Sequence, residues 1–236
     1  MPYYDTVVFD AAGTLIGRES PDQFEEYFVF AAREVGHEVT VAQVREVAAK
    51  EYEDTQTRLR GARMTTPDEA RSFWIALYEA VLRAVGVEGD IRPGLDRFYD
   101  KFQEGHYLEV YSDVLPTLEL LKKNGIHMGI LSNWSEHLED LLSRMGLHGF
   151  FEFFVVSAKA GYEKPDSRIF DITVDAAGVP HDRILFVGDH PQDDILAARN
   201  VGIDALLVDR QDQHQAFRLP SIKSLIEVGG YVGVAD

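Results

Sequence analysis

The sequence predicts an α/β fold: a doubly wound parallel sheet with an all-helical module inserted after its first strand. Three observations carry this prediction. Short apolar runs recur along the chain, each ending in a polar or small residue. The segments between the later runs have helical periodicity and close on glycine. The first and second runs are separated by a long stretch that reads as helices throughout.

The first run is "TVVFD", residues 6–10. The others are "HMGILSN" (127–133), "FFVVS" (153–157), "RILFVGD" (183–189) and "ALLVD" (205–209). All are too brief for helices, and runs apolar on both faces suit parallel strands covered on both sides. Helical patterns over 113–124, 135–145, 166–177 and 192–201 end at Gly125, Gly146, Gly178 and Gly202. Glycine supplies the left-handed residue that stops a helix. Strand and helix alternating in this way imply the doubly wound sheet.

The inserted stretch carries its own start signals. "SPDQ" (20–23), "TVAQ" (40–43) and "TPDE" (66–69) fit the capping box, a hydroxyl followed three residues later by Glu or Gln. Pro21 and Pro67 occupy the favoured first helical position. Phe24, Tyr27, Phe28 and Ala31 form one apolar stripe, and Phe73, Trp74, Leu77, Ala80, Val81 and Ala84 another. Both read as core packing. A less regular helical segment over 94–105 leads back to the sheet. The expected division is a core from 1–16 and 111–236, with the helical module at 17–110.

A chain of 236 residues, 45% hydrophobic and 27% charged, has ample material for a buried core. Its net charge of −17, from 40 acidic against 23 basic residues, repels nucleic acid and anionic lipid, so neither is expected as a partner. No apolar stretch is long enough for a membrane span, and "MPYYDT" lacks the features of a signal peptide. The absence of cysteine excludes disulfides and thiol catalysis, and fits the cytoplasm. Monomer and homodimer are equally compatible with these data. An anionic substrate would need local counter-charge.

In open parallel sheets, ligands bind beyond the carboxyl ends of the strands, where strand order reverses. The expected strand ends carry Asp10, Gly13 and Thr14; Ser132 and Asn133; Lys164 in "EKPD"; and Asp189, Asp193 and Asp194 in "GDHPQDD". Crowded carboxylates call for a divalent cation, and oxygen ligands favour Mg²⁺. Cation and lysine would then neutralise a phosphoryl group that also takes bonds from Ser132 and the turn amides.

Taken together and in order, "FDAAGTL", "ILSN", "EKPD" and "VGDHPQDD" resemble the four motifs of the haloacid dehalogenase superfamily of hydrolases. The resemblance implies a Rossmann-like core and makes the inserted helices a cap. "RSFWIALYEAVL" and "EKPDSRIF" look closest to the group of haloacid-dehalogenase-like hydrolase domain-containing protein 3 and rhythmically expressed gene 2 products. Carried over, it implies Asp10 as nucleophile and Mg²⁺ ligand, with the Ala12 carbonyl a second ligand. Thr14 would hold the loop, and Ser132 and Lys164 would bind the transferring group. Asp189 would be the second carboxylate ligand, with Asp194 or Asp193 completing the metal site. Asn133 and Trp134 either face the substrate or pack beneath the cap. The implied chemistry is covalent catalysis through an aspartyl intermediate, acting on a small phosphorylated metabolite.

Ala12 departs from the pattern, because family phosphatases carry a general acid/base aspartate there. Three readings follow. The chain is a phosphatase limited to good leaving groups, or one that borrows a proton donor; Glu19 is the nearby candidate, although a solvated loop charge is the simpler reading. Alternatively it cleaves a C–P or C–halogen bond, as phosphonatases and dehalogenases of the superfamily do. Lys50 would then be the imine-forming cap lysine, although Glu51 beside it favours a charged surface residue. Lastly, it binds a phosphorylated ligand or a partner without useful turnover.

Overall fold

The computed structural model describes residues 3–58 and 65–234. Its centre is strand β1 (Thr6–Phe9), fully buried along its length. The chain then forms β2 (Ile16–Gly17), α1 (Gln23–Glu34), α2 (Val41–Arg58), α3 (Pro67–Ala84) and α4 (Arg92–Gln103). It returns through β3 (Glu109–Val110), which pairs antiparallel with β2. Next come α5 (Val114–Lys123), β4 (His127–Ser132), α6 (Leu138–Arg144), β5 (Phe153–Val156), α7 (Ser157–Ala160) and α8 (Ser167–Ala177). β6 (Ile184–Gly188), β7 (Asp204–Val208) and β8 (Ser221–Ile222) complete the sheet.

The sheet order is β5–β4–β1–β6–β7–β8, with every pair parallel. Progress runs one way from β1 through β4 to β5 and the other way from β6 to β8. β1 is therefore the point where the winding reverses, and its carboxyl end opens onto the crevice where such sheets bind ligands.

Side-chain alternation along β1 divides the core. Val7 and Phe9 pack on one face with Leu118, Leu121 and Leu141, while Val8 packs on the other with Ile169, Phe170 and Phe186. Both faces are buried, which is why the strands read as continuous apolar runs. The inserted helices have a cluster of their own, centred on Phe28, Leu77, Leu82, Leu95 and Phe98. None of the described helices is long and apolar enough to cross a membrane.

The helix-start signals meet different fates. At Thr40 the box forms in full: the Gln43 amide oxygen accepts from Thr40 N–H, and Thr40 Oγ1 accepts from Gln43 N–H. Thr66 caps Glu69 N–H, but the Glu69 carboxylate accepts instead from the Thr65 hydroxyl. "SPDQ" does not start a helix. α1 begins at Gln23, because Ser20 Oγ donates to Glu26 and closes a turn with Asp22 N–H. The helix expected over 192–201 also differs: its first part is a π-helical turn, Pro191–Leu196, which runs into α9 (Ala197–Asn200).

Candidate active site

The site is assembled from the carboxyl ends of β1, β4 and β6 and the loop before α8. Asp10 lies one residue beyond β1, and its N–H continues the ladder by donating to Val187 O at 2.9 Å. The loop that follows closes tightly, with Leu15 and Ile16 N–H both donating to Ala11 O. Gly13 has φ +78°, and a Cβ there would lie 2.0 Å from Asp189 Oδ2. Only glycine allows the loop to pass so close to that carboxylate. Thr14 is fully buried, and its carbonyl accepts from Arg210 Nη2 at 3.0 Å. Its hydroxyl has no hydrogen-bond partner among the described residues.

Beyond β4, Ser132 is buried, and its hydroxyl favours the ionised form of the neighbouring Asp10 carboxylate. Asn133 does not turn its amide toward a ligand. Its Nδ2 donates to Lys164 O at 2.9 Å and its Oδ1 accepts from Lys164 N–H at 2.8 Å. The lysine thus presented is buried: Nζ donates to Asp10 Oδ1 at 2.7 Å and to Asp194 Oδ1 at 2.6 Å.

β6 delivers Asp189 and the turn carrying the remaining acids. Asp194 is 1% exposed, and its Oδ2 accepts from His190 N–H at 2.9 Å. A Cβ at Gly188 would stand 2.4 Å from that same oxygen, so glycine makes room for it. Asp193 points elsewhere: its N–H caps onto His190 Nδ1, and its carboxylate pairs with that ring at 3.5 Å. Asp10, Asp189 and Asp194 form the cluster, with one oxygen from each lying within 4.8 Å of the others.

Burial dominates the electrostatics. It is the largest influence on Asp10, whose pKa is pushed up to about 6; Lys164 opposes the shift and Asp194 adds to it. Asp189 is raised well above the usual carboxylate range by burial, then by Asp10 and Asp194. Burial pulls Lys164 down, but the two carboxylates outweigh it and hold the ammonium above its ordinary value. Three carboxylates face a single ammonium, so the cluster carries excess negative charge in a poorly solvated place. Hard oxygen donors with uncompensated charge fit a divalent cation such as Mg²⁺.

Between this cluster and the inserted helices lies a cavity of about 310 Å³. Ala12, Gly13 and Asp189 line its floor, and Phe24, Tyr27 and Trp74 its roof. Here the reading of the aromatic stripes as core packing is incomplete. Phe73, Leu77 and Val81 are buried, whereas Phe24 is 38% exposed and, with Trp74, turns to the cavity. Helical periodicity marks the apolar face but does not tell its centre, which packs, from its margin, which faces a ligand.

Two other candidates lie apart. Glu19 Oε1 accepts from Ser112 N–H at 3.1 Å and from its hydroxyl at 2.7 Å, which holds its carboxyl below the usual range. An acid kept ionised in this way is a poor proton donor. Lys50 lies on the outside of α2, its side chain 76% exposed and paired with Asp54 at 3.4 Å. It is absent from the cavity lining.

The comparisons with known proteins agree with this geometry. A family model described as "Hydrolase: haloacid dehalogenase-like hydrolase" matches residues 4–202. Haloacid dehalogenase-like hydrolase domain-containing protein 3 of Danio rerio is 29% identical over 192 residues, covering 79% of this chain and 78% of that protein. Phosphoserine phosphatase of Thermus thermophilus is 31% identical over 157 residues, 63% of this chain and 62% of that one. Among solved structures, a Bacillus subtilis protein described as the HAD-hydrolase YfnB bound to magnesium superposes with a TM-score of 0.75 at 19% identity. That likeness covers 98% of this chain and 99% of the other, and at that identity it is one of fold.

Proposed function

Because the chain belongs to the haloacid dehalogenase-like hydrolase family, we propose that it is a Mg²⁺-dependent phosphatase of small phosphorylated metabolites, working through an aspartyl-phosphate at Asp10. One observation carries this reading. The Lys164 ammonium is pinned between Asp10 at 2.7 Å and Asp194 at 2.6 Å, with Asp189 in the same cluster. A buried lysine and three carboxylates at the switch point of a parallel sheet form an electrostatic clamp with a nucleophile inside it.

In this reading the Asp10 carboxylate attacks phosphorus, and the bond to the leaving oxygen breaks with its electron pair. Water then attacks the acyl phosphate at phosphorus, releasing inorganic phosphate and regenerating the carboxylate. Lys164 and the Ser132 hydroxyl bind the phosphoryl oxygens and hold Asp10 in line; such positioning and charge neutralisation account for most of the rate in phosphoryl transfer. Asp10, Asp189, Asp194 and the Ala12 carbonyl would hold Mg²⁺, which when bound supplies positive charge to the phosphoryl oxygens. The B. subtilis protein of the same fold is described as bound to magnesium. Thr14 keeps the loop packed, Asn133 positions Lys164, and Asp193 serves the turn rather than the metal.

Residues 17–110 act as the cap, and closing it over the cavity excludes water while the intermediate forms. The imine route through Lys50 lacks support, since that amine is solvated and outside the lining of the cavity.

The test is hydrolysis of a panel of phosphate esters with Mg²⁺ by wild type and Asp10→Asn. Phosphate release by the wild type and none by the variant is expected. Activity surviving in Asp10→Asn would rule out the covalent route.

A further inference from the structure

Among the described residues, none that lines the cavity above Asp10 carries a positive charge. Asp189 is the one charged side chain among the described residues of its lining, and the rest is dominated by rings: Phe24, Tyr27, Trp74, Tyr78, Phe102 and Trp134. The polar side chains among them are neutral, and two are already engaged. Asn133 is spent on the Lys164 backbone, and Gln103 Oε1 accepts from the Ser135 hydroxyl at 2.7 Å. The rings are placed by one another rather than by the sheet. Tyr27 meets Phe102 edge-on at 5.0 Å, and Phe102 stacks on Trp134 at 5.8 Å. A leaving group bearing a carboxylate or a second phosphate would find no counter-charge among the described lining residues and would meet Asp189. An uncharged aromatic ring would find faces and edges to pack against.

A second feature points the same way independently. Ala12 lines the cavity floor and offers no proton to the departing oxygen. An alkoxide needs one at the moment of bond breaking. A phenolate, whose conjugate acid titrates near 10 as tyrosine does, leaves without it.

We propose that the substrates are aryl phosphates: monoesters with a single phosphoryl group on an uncharged phenol, whose ring occupies the cavity beneath Phe24 and Trp74. This rests on the phosphatase reading and narrows it. Asp10 forms the new O–P bond as the P–O(aryl) bond breaks; the phenolate leaves with the electron pair and takes its proton from water outside the site. Water cleaves the aspartyl-phosphate, giving inorganic phosphate and one proton to solvent.

The chain's two tryptophans, Trp74 and Trp134, both line the cavity, so intrinsic fluorescence reports its occupancy. The probes are three non-hydrolysable phosphonates, benzylphosphonate, phosphonoacetate and methylphosphonate, titrated in the presence of Mg²⁺. Benzylphosphonate is expected to change the fluorescence and to bind at least tenfold more tightly than phosphonoacetate. Phe24→Ser, at a position 38% exposed on the rim, should weaken benzylphosphonate binding several-fold and methylphosphonate binding far less. In turnover, phenyl phosphate should exceed benzyl phosphate in kcat/KM by about a hundredfold, since both present a ring but only one leaves as a phenolate. Equal or tighter binding of phosphonoacetate, or phosphoserine hydrolysed better than phenyl phosphate, overturns the proposal and leaves the phosphatase reading standing. Hydrolysis of no ester at all overturns the phosphatase reading itself.

Discussion

Asn133 grips Lys164 by its backbone on both sides, donating to its carbonyl at 2.9 Å and accepting from its N–H at 2.8 Å. The grip fixes where the lysine stem starts, and so where Nζ ends, between Asp10 and Asp194. Removing the amide in Asn133→Ala leaves two backbone groups unsatisfied, at about 1–3 kcal/mol each where they stay dry. We expect a lower Tm and a fall in kcat of tenfold or more, since the ammonium is misplaced rather than removed. Steady-state kinetics with thermal melts check this. An unchanged kcat with a lowered Tm would reduce Asn133 to a structural role.

Much of this site is legible in the sequence because its parts stand at strand ends. An apolar run stopping at a carboxylate marks Asp10 and Asp189, and the sheet then has to bring them together. The choice between Asp193 and Asp194 is not legible. It depends on a π-helical turn that rotates one carboxylate inward and leaves the other on His190. Nor does the sequence tell Ser20 from Thr40, both of which begin a capping pattern. The difference lies just beyond the capping pattern, since Glu26 takes the Ser20 hydroxyl and Arg18 pairs with Glu26 at 2.7 Å. The role of Asn133 is hidden because its partner lies 31 residues away.

Burial holds Asp10 up at about 6, and this has a consequence for stability. A folded state that binds the proton more tightly than the unfolded chain loses stability as pH rises from the unfolded carboxylate range, near 4, through about 6. In EDTA at pH 7, Asp10→Asn should therefore melt higher than wild type. Mg²⁺ should raise the wild-type Tm and act weakly on the variant. Melting curves of both proteins in EDTA and in Mg²⁺ decide the matter, and a variant that melts lower in EDTA would contradict the assignment.

Asp113 behaves in the opposite sense. Burial pushes its carboxyl up, but the Arg210 guanidinium at 2.6 Å and the Leu225 amide at 2.8 Å outweigh it, so the pKa is lowered. The resulting stabilisation is complete above the unfolded carboxylate pKa, near 3.9, and is lost as pH falls through the lower folded value. Arg210 also donates to the Thr14 carbonyl, so this pair buttresses the loop that carries Gly13. Asp113→Asn should be clearly less stable than wild type in urea at pH 7, with the gap narrowing below pH 4. A gap independent of pH would show that shape, not charge, sets the contribution.

The proton missing at Ala12 gives the sharpest prediction. Ala12 lines the cavity floor beside Gly13 and Asp189, so a carboxyl group placed there faces the departing oxygen. Positioned acid–base catalysis is worth about 10² to 10⁴ in rate, and the gain falls where the leaving group most needs protonation. Ala12→Asp should therefore raise kcat for ethyl phosphate by at least tenfold while changing that for phenyl phosphate little. The slope of log kcat against leaving-group pKa, measured over a series of esters, should flatten in the variant. An equal gain across the series would mean the new carboxylate acts on hydrolysis of the intermediate instead. No gain, with wild type already competent on ethyl phosphate, would place the proton donor elsewhere in the cavity. Tyr27 would then be the first residue to replace, because its ring lines the same cavity and burial pushes its phenol up, which keeps the proton on it.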